Sequence, residues 1–250
     1  MSFQPIIQRF DSIDSTNIEA LRQAKAGAPE GLCIIAREQT RGRGRLDRSW
    51  QSPADAGLYM SLLLRPKFEM NAWPLITLMA ALAVYDALMK TCELRTDIKW
   101  PNDLCVNDRK LCGILAETVE TALGTAAVVG IGINLSSEIV PLVPAEATSV
   151  ESVTGRKPDR ELILHGLLKS IAERYDLLHS AAGCEHIIRE WCAHSSYAMG
   201  RRVRVTLSDK AFEGTTRGLE SDGALRVESA EGRMKIVRAG DVTALRSTNG

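Results

Sequence analysis

A short arginine-rich segment, TRGRGRLDRSW at residues 40–50, holds the first residues in this chain whose types suggest chemistry. A guanidinium group can donate two parallel hydrogen bonds to a carboxylate or a phosphate. Gly42 and Gly44 give the backbone between the arginines freedom to bend. The segment therefore predicts a flexible loop that closes over an anion. Composition alone favours a solvated surface turn, and a loop that binds nucleic acid is a third interpretation.

Polar residues at the end of a predicted strand, in the segment KWPNDL, are the second candidates. Pro101 ends the apolar strand and leaves Lys99, Asn102 and Asp103 at the edge of a sheet, where loops commonly carry function. A lysine and a carboxylate beside an arginine loop would suit a nucleotide with its magnesium ion. An ordinary turn explains the same three residues without any ligand.

Two predicted buried strands carry a lysine and several glycines. Lys110 opens the strand within the segment DRKLCGILAE, where it is either an edge residue or a cation that faces a pocket. Glycine inside a strand often marks the close approach of a ligand or of another backbone segment. These glycines are Gly113, Gly130 and Gly132. The last two share one face of a strand that ends at Asn134, so they predict a shallow trough, with side-chain packing as the alternative.

The overall composition limits the classes of function. Lysine plus arginine and aspartate plus glutamate both number 31, so the net charge is zero, whereas a DNA-binding protein usually carries a broad basic surface. No uninterrupted apolar run has the length of a membrane span, and the N-terminus lacks the pattern of a secretory signal. Six cysteines without a C-x-x-C pair predict reduced thiols in a cytoplasmic protein, and the histidine spacing predicts no structural zinc site.

Hydrophobic periodicity predicts the elements that position these residues. A capping box between Thr16 and Glu19 predicts a helix over residues 15–25. A mostly apolar helix is predicted at residues 71–91, and two amphipathic helices between Asp159 and His194. The predicted strands cover residues 31–38, 57–66, 94–101, 103–120 (a hairpin that turns at Asn107–Asp108) and 124–135.

The last fifth of the chain has a different pattern. Short alternating segments from residue 200 onward predict a small antiparallel barrel or sandwich. Residues 136–158 contain three prolines and no clear period, which predicts a long loop. We therefore divide the chain into a first domain at residues 1–197 and a β-domain at residues 198–250.

Five motifs, in their order along the chain, resemble the biotin protein ligase family: DSIDSTN, QTRGRGR with a following tryptophan, KWPNDL, RKLCGILAE and GIGINL. The combination of KWPND with the arginine loop is highly specific, and the resemblance extends over nearly the whole chain. Members of the family that also act as repressors carry a winged helix-turn-helix before the first motif. Only ten residues precede that motif here, so the sequence resembles the monofunctional class without a DNA-binding domain.

The resemblance implies an α/β (α+β) fold, with a mixed-sheet catalytic domain like that of class II synthetases and a C-terminal SH3-like β-barrel. It implies that the biotin carboxylate attacks the α-phosphate of ATP, with Mg²⁺, to give biotinyl-5′-AMP. A lysine of a biotin carboxyl carrier domain, part of a carboxylase, then receives the biotinyl group. No DNA or membrane partner is expected, and a monomer and a homodimer both fit the family.

The resemblance also implies roles for individual residues. The expected biotin site consists of Ser15, Thr16, Asn17, Gln39, Arg43, Arg45, Lys110, Gly113, Gly130 and Gly132. The ATP and adenylate site that the resemblance implies consists of Arg43, Arg45, Trp50, Asn134 and Arg246, to which the strand-end position adds Lys99, Asn102 and Asp103. Lys110 and Arg45 are the expected catalytic residues, and Asp103 is the expected magnesium ligand.

One pair of residues departs from the family pattern. The family usually continues GRGR with another arginine and a glycine, whereas this chain has Leu46 and Asp47. A carboxylate there would partly cancel the positive charge of the loop, and the missing glycine would stiffen it. A lipoate or octanoate ligase with the same adenylation chemistry is one alternative function. A nucleic-acid-binding regulator is another, from a different class.

Overall fold

The computed structural model describes residues 3–144, 146–207 and 210–245, which form two β-sheets and the helices packed on them. The first part of the chain contains β1 (Ile6–Ile13), α1 (Thr16–Lys25), β2 (Leu32–Gln39), β3 (Gly57–Leu64), α2 (Leu75–Cys92), β4 (Asp97–Lys99), β5 (Asp103–Val106), β6 (Arg109–Val119), β7 (Ala126–Asn134), α3 (Val150–Thr154), α4 (Arg160–Leu178) and α5 (Gly183–Ala193). The second part contains β8 (Met199–Thr206), β9 (Ala211–Leu219), β10 (Leu225–Ser229), β11 (Met234–Val237) and β12 (Asp241–Ala244). The mixed α/β prediction is confirmed.

The larger sheet has seven strands in the order β1-β2-β3-β7-β6-β5-β4. β1 pairs in parallel with β2, and the other neighbouring strands are antiparallel, so the sheet is mixed. β3, β7 and β6 lie at its centre, and every residue of β3 is buried. The three central strands correspond to the predicted strands that contain GLYMSLLL, GIGIN and KLCGIL.

Helices cover both faces of the larger sheet. On one face, α1 packs Ala20 and Ala24 against Leu32 and Ile34 of β2. On the other face, α2 lies against the central strands, and α4 and α5 pack around α2. By length and mean hydropathy, 1.5, α2 could cross a membrane, but 61% of it is buried in the protein core. Such burial is typical of the central helix of a globular domain.

The local predictions differ from the structure in three places. β1 was not predicted, because its residues alternate only weakly between apolar and polar types. The predicted long loop contains a 3₁₀ segment, Ser137–Leu142, and α3. The predicted capping box is wrong: Ser15 is the N-cap residue of α1 but makes no side-chain cap hydrogen bond, and Glu19 bonds Arg22 instead.

The hairpin between β5 and β6 turns where the sequence predicted. Asn107 and Asp108 have φ values of 51° and 59°. Two consecutive residues in the left-handed region form the turn type that matches the twist of two antiparallel strands. This turn places Lys110 at the start of β6, opposite Cys105 of β5.

The second sheet has five antiparallel strands in the order β11-β10-β9-β8-β12. Within the described residues, β11 and β12 lie at opposite edges of this sheet and do not pair, so the predicted barrel is not closed. The sheet shares a hydrophobic core with the first part of the chain, to which it contributes Val203, Val205 and Leu225. The Trp100 indole also donates a hydrogen bond to the Gly223 carbonyl, at 3.1 Å. The division at residue 197 stays a prediction.

Candidate active site

A cavity of about 300 Å³ opens beside the central strands of the larger sheet. Its walls come from the start of α1, the arginine loop, β6, β7, residues 143, 144, 146 and 147, and the first residue of β12. This volume is that of a pocket for a small organic ligand. Most of the residues that the sequence singled out meet here, although they are spread over more than a hundred positions of the chain.

One end of the cavity is a buried network of hydrogen-bonding groups around Thr16. The Gln39 Oε1 atom accepts hydrogen bonds from the Thr16 backbone nitrogen and hydroxyl, at 2.8 and 3.1 Å. The Gln39 amide nitrogen donates to Ser52, at 2.8 Å. The Ser61 hydroxyl lies 2.8 Å from the Thr16 hydroxyl and 2.5 Å from the Asn17 Oδ1 atom. Because the side chains of Ser15 and Thr16 face this cavity, they do not cap α1.

Asn17 is fixed between β6 and β7. Its amide nitrogen donates to the Leu115 carbonyl at 3.2 Å and to the Glu117 carboxylate at 2.9 Å. A Cβ atom added to Gly130 would lie only 2.0 Å from Asn17 Oδ1, so β7 can carry no side chain there. Of the two interpretations of this glycine, close packing of a neighbouring side chain is the one that the structure shows.

Three polar residues of this network were not singled out from the sequence: Ser52, Ser61 and Glu117. Ser61 is fully buried in an otherwise apolar strand, and a polar residue in such a strand was the signal that could have revealed it. Glu117 forms an ion pair with Arg43, with 3.1 Å between the guanidinium and carboxylate atoms. No feature of the sequence separates Ser52 from ordinary loop serines.

The middle of the cavity contains an ion pair between Lys110 and Asp103. The Lys110 ammonium lies 2.6 Å from the Asp103 carboxylate and 5.3 Å from the centre of the Trp50 ring. The lysine therefore faces the pocket, which decides between the two interpretations of its position. Asp103 and Lys110 belong to adjacent strands of the β5–β6 hairpin.

The side chains of Trp50 and Asn134 supply hydrogen-bonding groups that have no partner among the described residues. Trp50 lies over β7, where a Cβ atom on Gly132 would be 2.5 Å from the indole nitrogen. This buried indole nitrogen is an unpaired donor, and the buried Asn134 Oδ1 atom is an unpaired acceptor. Since a buried polar group without a partner is costly, both atoms are suited to receive a polar ligand.

Arg45 crosses from the loop to the second sheet. Its guanidinium donates to Asn102 Oδ1 at 3.1 Å and to the Gly240 carbonyl at 3.3 Å. The Asn102 amide in turn donates to the Ile114 carbonyl, which fixes its orientation. Burial lowers the pKa of Arg45, while the carboxylates of Asp241 and Asp103 act in the opposite direction. An arginine titrates far above neutral pH, so this guanidinium stays charged and can bind an anion in the cavity.

The arginine loop, residues 40–50, forms a small hairpin in this structure, which we call the arginine hairpin. The Gly44 and Arg48 backbone nitrogens donate to the Arg48 and Arg45 carbonyls, at 2.7 and 3.2 Å. The turn residues Leu46 and Asp47 have φ values of 54° and 57°, a conformation that favours glycine or asparagine. The departure from the family pattern therefore falls at the two positions of this loop where the backbone is most constrained. The predicted mobility of the loop stays a prediction.

One predicted site residue lies away from the cavity, and another cannot be placed relative to it. Lys99 does not line it, and its ammonium lies 5.8 Å from the centre of the Tyr197 ring. Arg246 lies outside the described residues. The structure therefore offers no support for a contact between Lys99 and a nucleotide.

The acidic groups of the cavity determine whether the protein could hold the predicted magnesium ion. Within the described residues, no group of three or more histidines, cysteines or carboxylates lies close enough to hold a metal ion. Asp103 is a single carboxylate and already pairs with Lys110. Magnesium is commonly bound by one or two carboxylates together with substrate phosphates. The residues present therefore fit a magnesium ion that arrives with a nucleotide, and not one held by the protein alone.

Known protein families and proteins match almost the whole chain. The Biotin/lipoate A/B protein ligase family model matches residues 9–134, and the model of the Biotin protein ligase C terminal domain matches residues 198–243. The bifunctional ligase/repressor BirA of Bacillus subtilis is 36% identical over 236 residues, which are 92% of this chain and 71% of that protein. The biotin–[acetyl-CoA-carboxylase] ligase of Paracoccus denitrificans is 36% identical over 233 residues, which are 90% of this chain and 95% of that protein.

A solved structure agrees with these relatives. The biotin protein ligase from Aquifex aeolicus in complex with biotin and ATP superposes with a TM-score of 0.83 at 31% sequence identity. The match covers 98% of this chain and 100% of that chain, so both sheets have counterparts there.

Proposed function

This chain belongs to the biotin/lipoate A/B protein ligase family, and from that premise we propose that it activates biotin with ATP and transfers it to a protein lysine. The observation that carries the proposal is the composition of the cavity. A buried network of donors and acceptors lies at one end, and Arg45 and Lys110 lie beside it. A ligand with a polar ring and a carboxylate tail, such as biotin, can bind the network with its ring and place its carboxylate beside the two cations.

The first step joins two negatively charged groups. A carboxylate oxygen of biotin attacks the α-phosphorus of ATP, the bond to the bridging oxygen of the β-phosphate breaks, and pyrophosphate leaves. The product is biotinyl-5′-AMP. The enzyme must offset the repulsion between carboxylate and phosphate as they approach, and Lys110 and Arg45 supply the positive charges. Opposite charges at about 4 Å attract by roughly 4 kcal/mol at an effective dielectric constant near 20.

The binding network orients the substrates for this attack. The network around Thr16 and Gln39 presents both acceptors and donors to the ureido ring of biotin, so that the carboxylate tail extends toward Lys110. The unpaired groups of Trp50 and Asn134 are proposed to contact the nucleotide. Holding the reacting atoms together removes much of the entropic barrier of a two-substrate reaction.

The second step moves the biotinyl group to a lysine. The neutral amine of the acceptor lysine attacks the acyl carbon of biotinyl-5′-AMP, the bond to the AMP oxygen breaks, and the nitrogen loses its proton. An amide and AMP result. The arginine hairpin lies over the cavity, where it shields the mixed anhydride from water until the acceptor arrives. We propose a biotin carboxyl carrier domain as the acceptor, since relatives of this chain are named for the modification of acetyl-CoA carboxylase.

We propose that Mg²⁺ enters bound to ATP, and that Asp103 is the protein carboxylate that would hold it. When bound, it neutralises part of the phosphate charge. The Lys110 ammonium pairs with Asp103 in this structure and lines the cavity, where it would face the reacting carboxylate.

We propose that the chain does not bind DNA. Each arginine of the loop already has a protein partner: Arg41 pairs with Asp14, Arg43 with Glu117, Arg45 with Asn102, and Arg48 with Asp241. Three of these partners are carboxylates, and the fourth arginine, Arg45, lines the cavity with only 23% of its side chain exposed, so little unpaired positive charge faces a phosphate backbone. A gel shift that weakens with salt at physiological ionic strength would contradict this proposal. A cytoplasmic location, with the six cysteines free, is likewise proposed, and the choice between monomer and homodimer stays open.

The proposed function is tested by mass spectrometry of a carrier domain incubated with the protein, biotin and MgATP. One biotinyl group on one lysine is expected. Parallel reactions with lipoate or octanoate in place of biotin should leave the carrier unmodified. Transfer of lipoate without transfer of biotin would replace the proposal by the related ligase activity.

A further inference from the structure

The side chains at both ends of the turn of the arginine hairpin contact the second sheet. At one end, the Arg45 guanidinium donates to the Gly240 carbonyl at 3.3 Å and lies 4.0 Å from the Asp241 carboxylate. At the other end, the Arg48 guanidinium forms an ion pair and hydrogen bond with the same carboxylate. A single carboxylate at the start of β12 therefore contacts both arginines that flank Leu46 and Asp47.

The position of Asp241 is set by the second sheet and not by the loop. Asp241 is the first residue of β12, where it pairs in register with Thr206 of β8. Its side chain is 31% exposed and lines the same cavity as Lys110 and Trp50. Asp241 thus belongs to the wall of the active site although it lies almost 200 residues after the hairpin in sequence.

We propose that Asp241 is a positioning residue for the ligase reaction: it holds the Arg45–Arg48 turn over the cavity. The second sheet thereby completes the active site through this one carboxylate. The proposal rests on the proposed function, in which Arg45 binds the anionic groups of biotin and ATP. Asp241 does not touch the reacting atoms and acts through Arg45 and Arg48.

The exposure of the two arginines that contact Asp241 determines how much the loss of its charge should loosen the turn. The Arg48 side chain is 59% exposed, so its pair with Asp241 is weakened by water and salt. Arg45 is more enclosed, with 23% of its side chain exposed, but it also has Asn102 as a partner. Removal of the Asp241 charge should therefore loosen the turn about fivefold, near the upper end for a partly exposed ion pair, and should not unfold the protein.

The test compares Asp241→Asn with Asp241→Glu and with the control Glu228→Gln. Glu228 pairs with Arg217 on the same sheet, at 2.7 Å, and does not touch the hairpin. Hydrogen exchange of the Gly44, Arg48 and Trp50 amides in the ligand-free proteins reports on the closed turn, because all three are hydrogen-bonded within the hairpin. A pulse–chase measurement then follows the release of preformed biotinyl-5′-AMP.

We expect about fivefold faster exchange of these amides and about fivefold faster release of the adenylate in Asp241→Asn. Amides of α2 should be unaffected, Asp241→Glu should restore most of the protection, and Glu228→Gln should behave as the unaltered protein. Equal exchange of the hairpin in Asp241→Asn and in the unaltered protein would overturn the proposal. Faster exchange of the hairpin in Asp241→Asn would also overturn the proposal if Glu228→Gln showed the same increase.

A second variant, Arg48→Gln, tests the proposal if Asp241→Asn does not fold. Arg48→Gln removes the Arg48–Asp241 ion pair from the exposed side of the loop and should also speed the exchange of the hairpin amides. The exchange measurement needs no substrate. If the unaltered protein makes no biotinyl-5′-AMP, the proposed function fails, while the ligand-free exchange still decides whether Asp241 holds the turn.

Discussion

At the scale of single residues, Lys110 is the residue on which the proposed chemistry depends most. Its ammonium is held 2.6 Å from Asp103 in the cavity, where the two negatively charged substrates are proposed to bind. Lys99, only eleven positions earlier, is also a strand-end lysine but contacts Tyr197 outside the cavity. The two lysines therefore form a matched pair, one with and one without access to the substrates.

We predict that Lys110→Ala slows the formation of biotinyl-5′-AMP by about 10²-fold or more, because a preorganised charge at the reacting atoms is lost. Lys99→Ala should retain nearly the full rate. The measurement is biotin-dependent release of pyrophosphate. Equal losses in the two variants would show that the position of the lysine in the cavity is not what matters, and would return Lys99 to the nucleotide site.

Gly130 gives a second prediction at this scale. A methyl group at this position would overlap Asn17, which is itself fixed by Leu115 and Glu117. Gly130→Ala should therefore weaken biotin binding by about 10- to 100-fold, the range that corresponds to an overpacking cost of roughly 1–3 kcal/mol. Calorimetric titration with biotin measures this.

Gly166→Ala is the control for this prediction. Gly166 lies in α4, and its added methyl group would meet the nearest atom, of Thr91, at an ordinary 3.4 Å. Biotin affinity should be unchanged, and the helix should gain up to about 1 kcal/mol of stability. Unchanged biotin affinity in Gly130→Ala would mean that Asn17 is free to move aside.

At the scale of elements, the arginine hairpin combines a binding role with a constrained turn. Leu46 has φ of 54° and is 67% exposed, so its backbone is unfavourable and its side chain contributes little packing. Most turns of this type use asparagine, aspartate or glycine at such positions. The hairpin therefore closes against a local conformational cost, which its contacts with Glu117, Asn102 and Asp241 offset.

We predict that Leu46→Asn favours the closed hairpin and that Leu46→Val disfavours it. Asparagine tolerates the left-handed region, which relieves a strain of about 1 kcal/mol, whereas a β-branched residue increases it. Exchange of the Gly44 and Arg48 amides should be about fivefold slower in the first variant and faster in the second. Changes of the same sign in both variants would show that contacts of the leucine side chain, and not its backbone, control the loop.

At the scale of the whole molecule, three helices are joined by a charged network behind the larger sheet. Arg174 of α4 donates hydrogen bonds to Asp86 of α2, at 2.7 Å, and to Glu190 of α5, at 2.5 Å. Burial alone would raise the pKa of Asp86, but the hydrogen bonds from Arg174 and Ser170 lower it below its usual value. The network thus links the helices that support the central strands of the active site.

We predict that Asp86→Asn lowers the free energy of unfolding by about 2 kcal/mol at pH 7, as expected for a lost hydrogen bond to a charged group. Because the folded state lowers the pKa of Asp86, its contribution is present above about pH 4, near the unfolded value, and is lost as the pH falls further. The difference between the two proteins should therefore shrink below pH 4.

Denaturant unfolding at a series of pH values measures this difference. Asp11→Asn is the control, since Asp11 is 88% exposed and its pair with Arg37 is solvated. It should cost less than about 1 kcal/mol at any pH. A loss in Asp86→Asn that does not change between pH 7 and pH 3 would show that the carboxylate charge is not what stabilises the helix packing.

Much of the fold and of the candidate site could be predicted from the sequence, because local signals carried them. The turn at Asn107–Asp108, the buried α2 and the paired helices α4 and α5 follow from turn chemistry and periodicity. β1 was missed because its residues alternate only weakly between apolar and polar types, while its pairing with β2 stabilises it. The 3₁₀ segment and α3 were missed because they are too short to show a period, although Ser136 and Ser149 cap them.

The sequence by itself determined the family, the order of the motifs and about half of the residues that line the cavity. Only the tertiary structure decided which of these residues touch: that Lys110 pairs with Asp103 while Lys99 faces away, that Glu117 holds Arg43, and that Asp241 reaches the arginine hairpin. The physical reason is that these contacts join strands and loops far apart in the chain. Their distances are set by sheet register and by the packing of the second sheet on the first, which no local pattern of residues encodes.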